Sequence, residues 1–116
     1  MSDDLARCAA LRVERAGEEL GPIATSLLFE DQHVRIWELL LEPGEASALH
    51  RHDHDYYLVI HEGDRIAAVS PDPTHEPIIA DIPEGGLTVQ LPAGATEWAF
   101  NIGERTYRET IIERLA

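Results

Sequence analysis

The chain has 116 residues, room for one domain of ordinary size, and its 44% hydrophobic content is enough for a single core. Nine arginines and no lysine stand against 22 acidic residues, a formal charge of −13, which disfavours nucleic acid and anionic membranes as partners and draws cations diffusely. No apolar run reaches the ~18–20 residues of a bilayer span, the acidic start does not resemble a secretory leader, and the single Cys8 permits no intramolecular disulfide. The sequence therefore reads as a soluble, cytoplasmic protein.

In chain order, residues 1–20 form an N-terminal extension. Within it 3–16 is predicted as a short helix with Ser2 as N-cap, Asp3 and Asp4 in the first turn and Gly17 at the end. Leu5, Cys8, Ala9 and Arg12 share one face, a weak apolar stripe on which Cys8 reads as a small packing residue. Residues 21–116 read as one β domain. "TSLLF" and "HVRIWELLL" flank the hairpin signal "EDQ", and "YYLVI" and "RIAAVS" flank a turn that contains Gly63. "PIIADI", "LTVQL", "TEWAFNI" and "TYRETIIERL" follow, separated by "PEGG", "PAG" and Gly103-Glu104. About eight or nine strands, with turn residues every eight to twelve positions, indicate an antiparallel sandwich or barrel.

The chemistry concentrates in "GEASALHRHDHDYYLVIHEG". In a strand His50 and His52 share a face, so two neutral imidazoles can reach one divalent ion. His54 continues the alternation, but Asp53 and Asp55 favour a turn there. His33 and His75 read as loop histidines and His61 as part of a hairpin turn. No phosphate-cradling glycine loop, nucleophile elbow or Cys-His pair competes with this cluster.

Two segments together resemble the cupin family. Gly44, five residues, His50-Arg51-His52, three residues, Tyr56, six residues and Gly63 follow the punctuation of its first motif. Gly86, five residues, Pro92-Ala93-Gly94, two residues, Glu97, three residues and Asn101 follow that of its second. Tyr56 stands where the family usually has a glutamate ligand, and Glu97 where it usually has its third histidine.

The resemblance implies an all-β fold, an antiparallel double-stranded β-helix (a jelly-roll-like barrel) with a short N-terminal helix. It implies a metal held by His50, His52 and Glu97, with Tyr56 as a fourth ligand, a hydrogen-bonding group or a plain wall residue. Two imidazoles and a carboxylate form a facial triad, which favours Fe(II) and also admits Mn, Ni, Co or Zn. Each imidazole must be neutral to bind, so affinity is expected to fall through the histidine range near ~6.5. The expected function is a metal-dependent enzyme acting on a small organic molecule, with dioxygenase-type chemistry favoured and Tyr56 and His54 orienting substrate or moving protons. The alternative is a non-catalytic module that binds or senses a metabolite, with or without metal. A homodimer is expected through N-terminal strands or outer sheets. With Glu97 facing the cavity, Trp98 and Phe100 face outward against another sheet or a second subunit, and Trp37 lines or packs the interior.

Overall fold

The structure is a computed structural model that describes residues 3–116; the N-cap expected at Ser2 lies outside them. One helix, α1 (Asp3–Glu14), precedes nine strands: β1 (Ser26–Glu30), β2 (Val34–Leu41), β3 (His50–Arg51), β4 (Tyr56–Glu62), β5 (Arg65–Val69), β6 (Ile78–Asp81), β7 (Leu87–Leu91), β8 (Thr96–Phe100) and β9 (Tyr107–Arg114). They form a five-stranded sheet in the order β1-β2-β9-β4-β7 and a four-stranded sheet in the order β3-β8-β5-β6. Every pairing is antiparallel. Among the described residues no helix is long and apolar enough to cross a membrane.

Period-two alternation sorts the side chains into two layers. Leu39, Leu41, Tyr56, Ile60, Tyr107 and Ile111 fill the space between the sheets together with Ile23 and Ile82. A second cluster lies on the outer face of the smaller sheet, where Leu49, Ala67, Val69, Trp98 and Phe100 pack beneath Cys8 and Leu11 of α1. Trp98 and Phe100 do face outward as expected, but the chain's own helix covers them. Trp37 packs against the inner cluster and its Nε1 donates to Glu113 at 2.7 Å.

The helix turns a different face inward from the one its apolar residues suggested. Asp4, Cys8 and Leu11 are buried, whereas Leu5 is 44% exposed. Polar anchoring explains the rotation. Arg65 pairs with Asp4 and bonds Asp81 at 2.9 Å, Arg7 donates to the Ile102 carbonyl at 2.9 Å, and Arg12 donates to the Ser70 carbonyl at 2.7 Å. Arg7 also lies over the Phe100 ring and Arg15 over the Trp98 ring. Cys8 is fully buried, and burial raises its thiol pKa, which leaves it an inert packing residue.

The motif residues that punctuate the sequence prove to be structural. Gly86 adopts φ +91°, and a Cβ there would stand 2.2 Å from the Ile60 carbonyl oxygen, so glycine alone fits. Asn101 is fully buried. Its amide donates to the carbonyls of Leu41 and Arg105, and its Oδ1 accepts from the Gly103 N–H. The side chain thus ties the end of β8 to the loop ahead of β9.

The inward face of α1 predicts an asymmetry in stability. Leu11→Ala is expected to cost about 2–4 kcal/mol, whereas Leu5→Ala should stay within about 0.5 kcal/mol. Urea denaturation of both variants checks this, and equal losses would contradict the packing.

Candidate metal centre and cavity

A cavity of about 380 Å³ lies between the sheets. Its walls are mainly aliphatic, with Leu39, Leu58, Ile60, Ile66, Val89 and Leu91 among them, and its polar lining comes from His50, His52, Tyr56, Glu97, Tyr107 and Glu109. Thus five of the polar groups come from strands and one from the residue just past β3.

His50 pairs with Glu97 in register across β3 and β8, so the two side chains leave the same face of the smaller sheet. Glu97 faces inward because its neighbours Trp98 and Phe100 alternate with it and are buried beneath α1. His52 lies beyond the end of β3, yet remains tied to the sheet: its N–H donates to the Ala95 carbonyl and its own carbonyl accepts from Gly94. One ligand-capable atom from each of His50, His52 and Glu97 lies within 4.8 Å of the others.

The unsatisfied groups show what this cluster lacks. His50 Nδ1 donates to the Ala48 carbonyl at 2.9 Å, with Ser47 Oγ at 3.3 Å, which fixes the ring and leaves Nε2 to ligate. His52 Nδ1 is buried without a hydrogen-bond partner. Glu97 accepts no hydrogen bond from the described residues, and burial alone raises its carboxyl pKa to about 7. Burial lowers the imidazole pKa values, that of His52 to about 4, with the nearby His50 adding to the effect. Both rings are therefore neutral near pH 7, the state that metal binding requires. Two neutral imidazoles, one orphaned nitrogen and a donorless carboxylate fit a divalent cation.

Tyr56 is 3% exposed and stacks on His52, with ring centroids 3.8 Å apart and planes 10° apart. Burial, with the carboxyls of Glu97 and Glu109 nearby, pushes its phenol well above the usual tyrosine range, so it stays protonated and can donate. His54 is only partly buried and does not line the cavity; the chain bends away after His52. His61 falls within β4 and meets Thr110 Oγ1 at 2.8 Å, while His33 and His75 are exposed in loops.

Glu109 and Tyr107 were not singled out in the sequence. Both lie on the inward face of β9, where Tyr107, Glu109, Ile111 and Glu113 alternate with partly exposed or exposed residues. Tyr107 donates to Glu109 Oε1. Burial raises the Glu109 carboxyl to about 7 even though this hydrogen bond opposes the shift, and Glu97 adds to it.

No protein-family model and no curated protein matches the sequence. Solved structures do match in shape. A cupin domain from Bordetella pertussis aligns with a TM-score of 0.66 at 19% identity, over 83% of this chain and 100% of its own. A cupin family protein with a double-stranded β-helix fold from Methanocaldococcus jannaschii aligns at 0.63 and 21% identity, over 84% of this chain and 87% of its own. A polyketide cyclase from Streptomyces resistomycificus aligns at 0.55 and 16% identity, over 74% of this chain and 57% of its own. With the two antiparallel sheets and the inward-facing His-Glu cluster, these likenesses identify the architecture: the chain has the cupin fold, a small double-stranded β-helix closed around one cavity.

Proposed function

We propose that the protein is a small metal-dependent enzyme that holds one divalent transition metal through His50, His52 and Glu97 and acts on a small, largely apolar organic molecule. The observation that carries this reading is the convergence of those three groups within 4.8 Å at the wall of an aliphatic cavity. A metal in such a two-imidazole, one-carboxylate set supplies Lewis acidity and, as Fe(II), the means to activate dioxygen, which favours dioxygenase-type chemistry. The chain's own residues do the rest. Leu58, Ile60, Val89 and Leu91 exclude water and hold the apolar body of a substrate. Tyr56, fixed by stacking on His52, offers a phenolic proton to an oxygen placed beside the two imidazoles. His54, outside the cavity, has no place in this scheme.

A metal-free binding module is the second reading. It draws on the Glu97 carboxyl, whose pKa of about 7 lets it take up a proton close to neutrality, so that no cation is required to neutralise it.

We also propose a homodimer formed through β1. This strand is the edge of the larger sheet, and its Leu27, Leu28 and Phe29 are each about half exposed. An apolar edge of this kind calls for cover, which a second copy supplies.

Metal analysis of protein purified without a metal-binding tag should find one transition metal per chain. His50→Ala, His52→Ala and Glu97→Ala should each abolish stoichiometric uptake, while Tyr56→Phe retains the metal with altered reactivity. Wild-type protein that takes up no Fe(II), Mn(II), Ni(II), Co(II) or Zn(II) at micromolar concentration would leave the binding module as the surviving reading.

The pH dependence follows from Glu97. Burial lowers both imidazole pKa values and raises that of Glu97 to about 7, so near neutrality the proton that a metal would displace is the one on Glu97. Zn(II) affinity should be flat above about pH 7 and fall about tenfold per pH unit below it. Calorimetric titration across that range checks the sign, and affinity that rises on acidification would contradict it.

For assembly, light scattering at micromolar concentration should give a dimer, and Phe29→Glu should give a folded monomer. A monomeric wild type would refute the β1 interface.

A further inference from the structure

The cavity holds more polar groups than a three-ligand metal site needs. Glu109 and Tyr107 enter it from β9, in the sheet opposite the one that carries Glu97, and Glu109 stands outside the His50-His52-Glu97 cluster. Tyr107 is 1% exposed and Glu109 4%. The tyrosine hydroxyl donates to Glu109 Oε1, and no second donor among the described residues reaches the carboxyl group. Oε2 is thus a hydrogen-bond acceptor that faces a largely aliphatic cavity and has no protein partner among the described residues. A ligand's donor can supply the missing partner, and in surroundings of low polarity such a bond discriminates between ligands that have a donor and those that do not.

The charge of the lining narrows the ligand. No arginine lines the cavity and the chain has no lysine, so both ionisable acids in it, Glu97 and Glu109, lack a cationic side-chain partner there. A divalent cation would balance the two carboxylates and leave no positive charge over. An anionic ligand therefore meets no compensating side chain, whereas a neutral hydroxyl meets a waiting acceptor and aliphatic walls. As the carboxylate, Glu109 presents Oε2 as an acceptor while Oε1 takes the Tyr107 hydroxyl.

We propose that Glu109, held in place by Tyr107, is the specificity-determining acceptor for a hydroxyl group on an otherwise apolar, uncharged ligand of this cavity. The inference rests on the cavity being the ligand site, as read above, and is independent of the metal.

The test compares β-naphthol with its methyl ether, which keeps the rings and the ether oxygen but has no proton to donate. Binding is followed by the fluorescence of the probe, once in the presence of a chelator and once with Zn(II). Wild-type protein should bind the alcohol about tenfold or more tightly than the ether in both conditions. Glu109→Leu should bring the two affinities to within about twofold of each other while ether binding persists. Tyr107→Phe, which removes the hydrogen bond that holds Glu109 in place, should reduce the preference without abolishing it. If circular dichroism shows Glu109→Leu to be unfolded, Glu109→Met serves the same purpose. Equal affinities in the wild type, an unchanged ratio in the Glu109 variant, or no binding of either probe would overturn the proposal. Absence of metal uptake with the alcohol preference intact would instead count against the metalloenzyme reading alone.

Discussion

The site depends on the alternation along β8. Trp98 and Phe100 are buried beneath α1 and Glu97 and Ala99 line the cavity, so one five-residue strand supplies both the anchor of the outer layer and a candidate ligand of the inner one. A slip of one residue would turn the two aromatics into the cavity and the carboxyl group into the helix packing. Burial of the aromatics therefore holds Glu97 where a carboxyl group would not go by itself, in a largely aliphatic space where no donor among the described residues reaches it.

The helix serves that constraint from outside. Arg7 and Arg12 of the helix, with Arg15 just past it, bond the carbonyls of Ile102, Ser70 and Ser47 beside the smaller sheet, and Arg7 and Arg15 lie over the two aromatics, so these cations are engaged away from the cavity carboxyls. Glu18, just past the helix, joins the layers. It is paired with Arg15, accepts the Leu49 N–H at 2.6 Å and lies 3.4 Å from Trp98 Nε1. These contacts hold its carboxyl at about 2, with the Arg15 hydrogen bond the largest cause, so it is ionised throughout the ordinary pH range. The charges are thus separated: the ion pairs of arginine form with acids outside the cavity, and the two cavity acids enter none among the described residues.

Much of this was legible because strands and turns announce themselves locally. The glycines, the Pro-Ala-Gly turn and the runs of branched residues located the strands to within a residue or two, and the paired His50-His52 and Glu97 positions marked the candidate ligands. What escaped depends on tertiary context. In "TYRETIIERL" both faces carry charged residues, so the pattern could not reveal that Glu109 and Glu113 are buried while Arg108 and Arg114 are not. The helix was similarly ambiguous: Leu5 is the more obvious apolar residue, but the Asp4–Arg65 pair rotates Leu11 inward instead. His54 is the contrary case: it shares the parity of His50 and His52, and the turn that Asp53 and Asp55 favour does end the strand before it.

The Glu18 junction grips the backbone at Leu49, the residue before His50, and the indole of Trp98, the residue after Glu97. The two strands that carry the candidate ligands are therefore tied together from outside at the level where their side chains meet inside. A frame braced in this way resists adjustment of the gap between those side chains. For the metal proposed at this site, selection among divalent ions would then rest on radius and coordination angle as much as on donor chemistry.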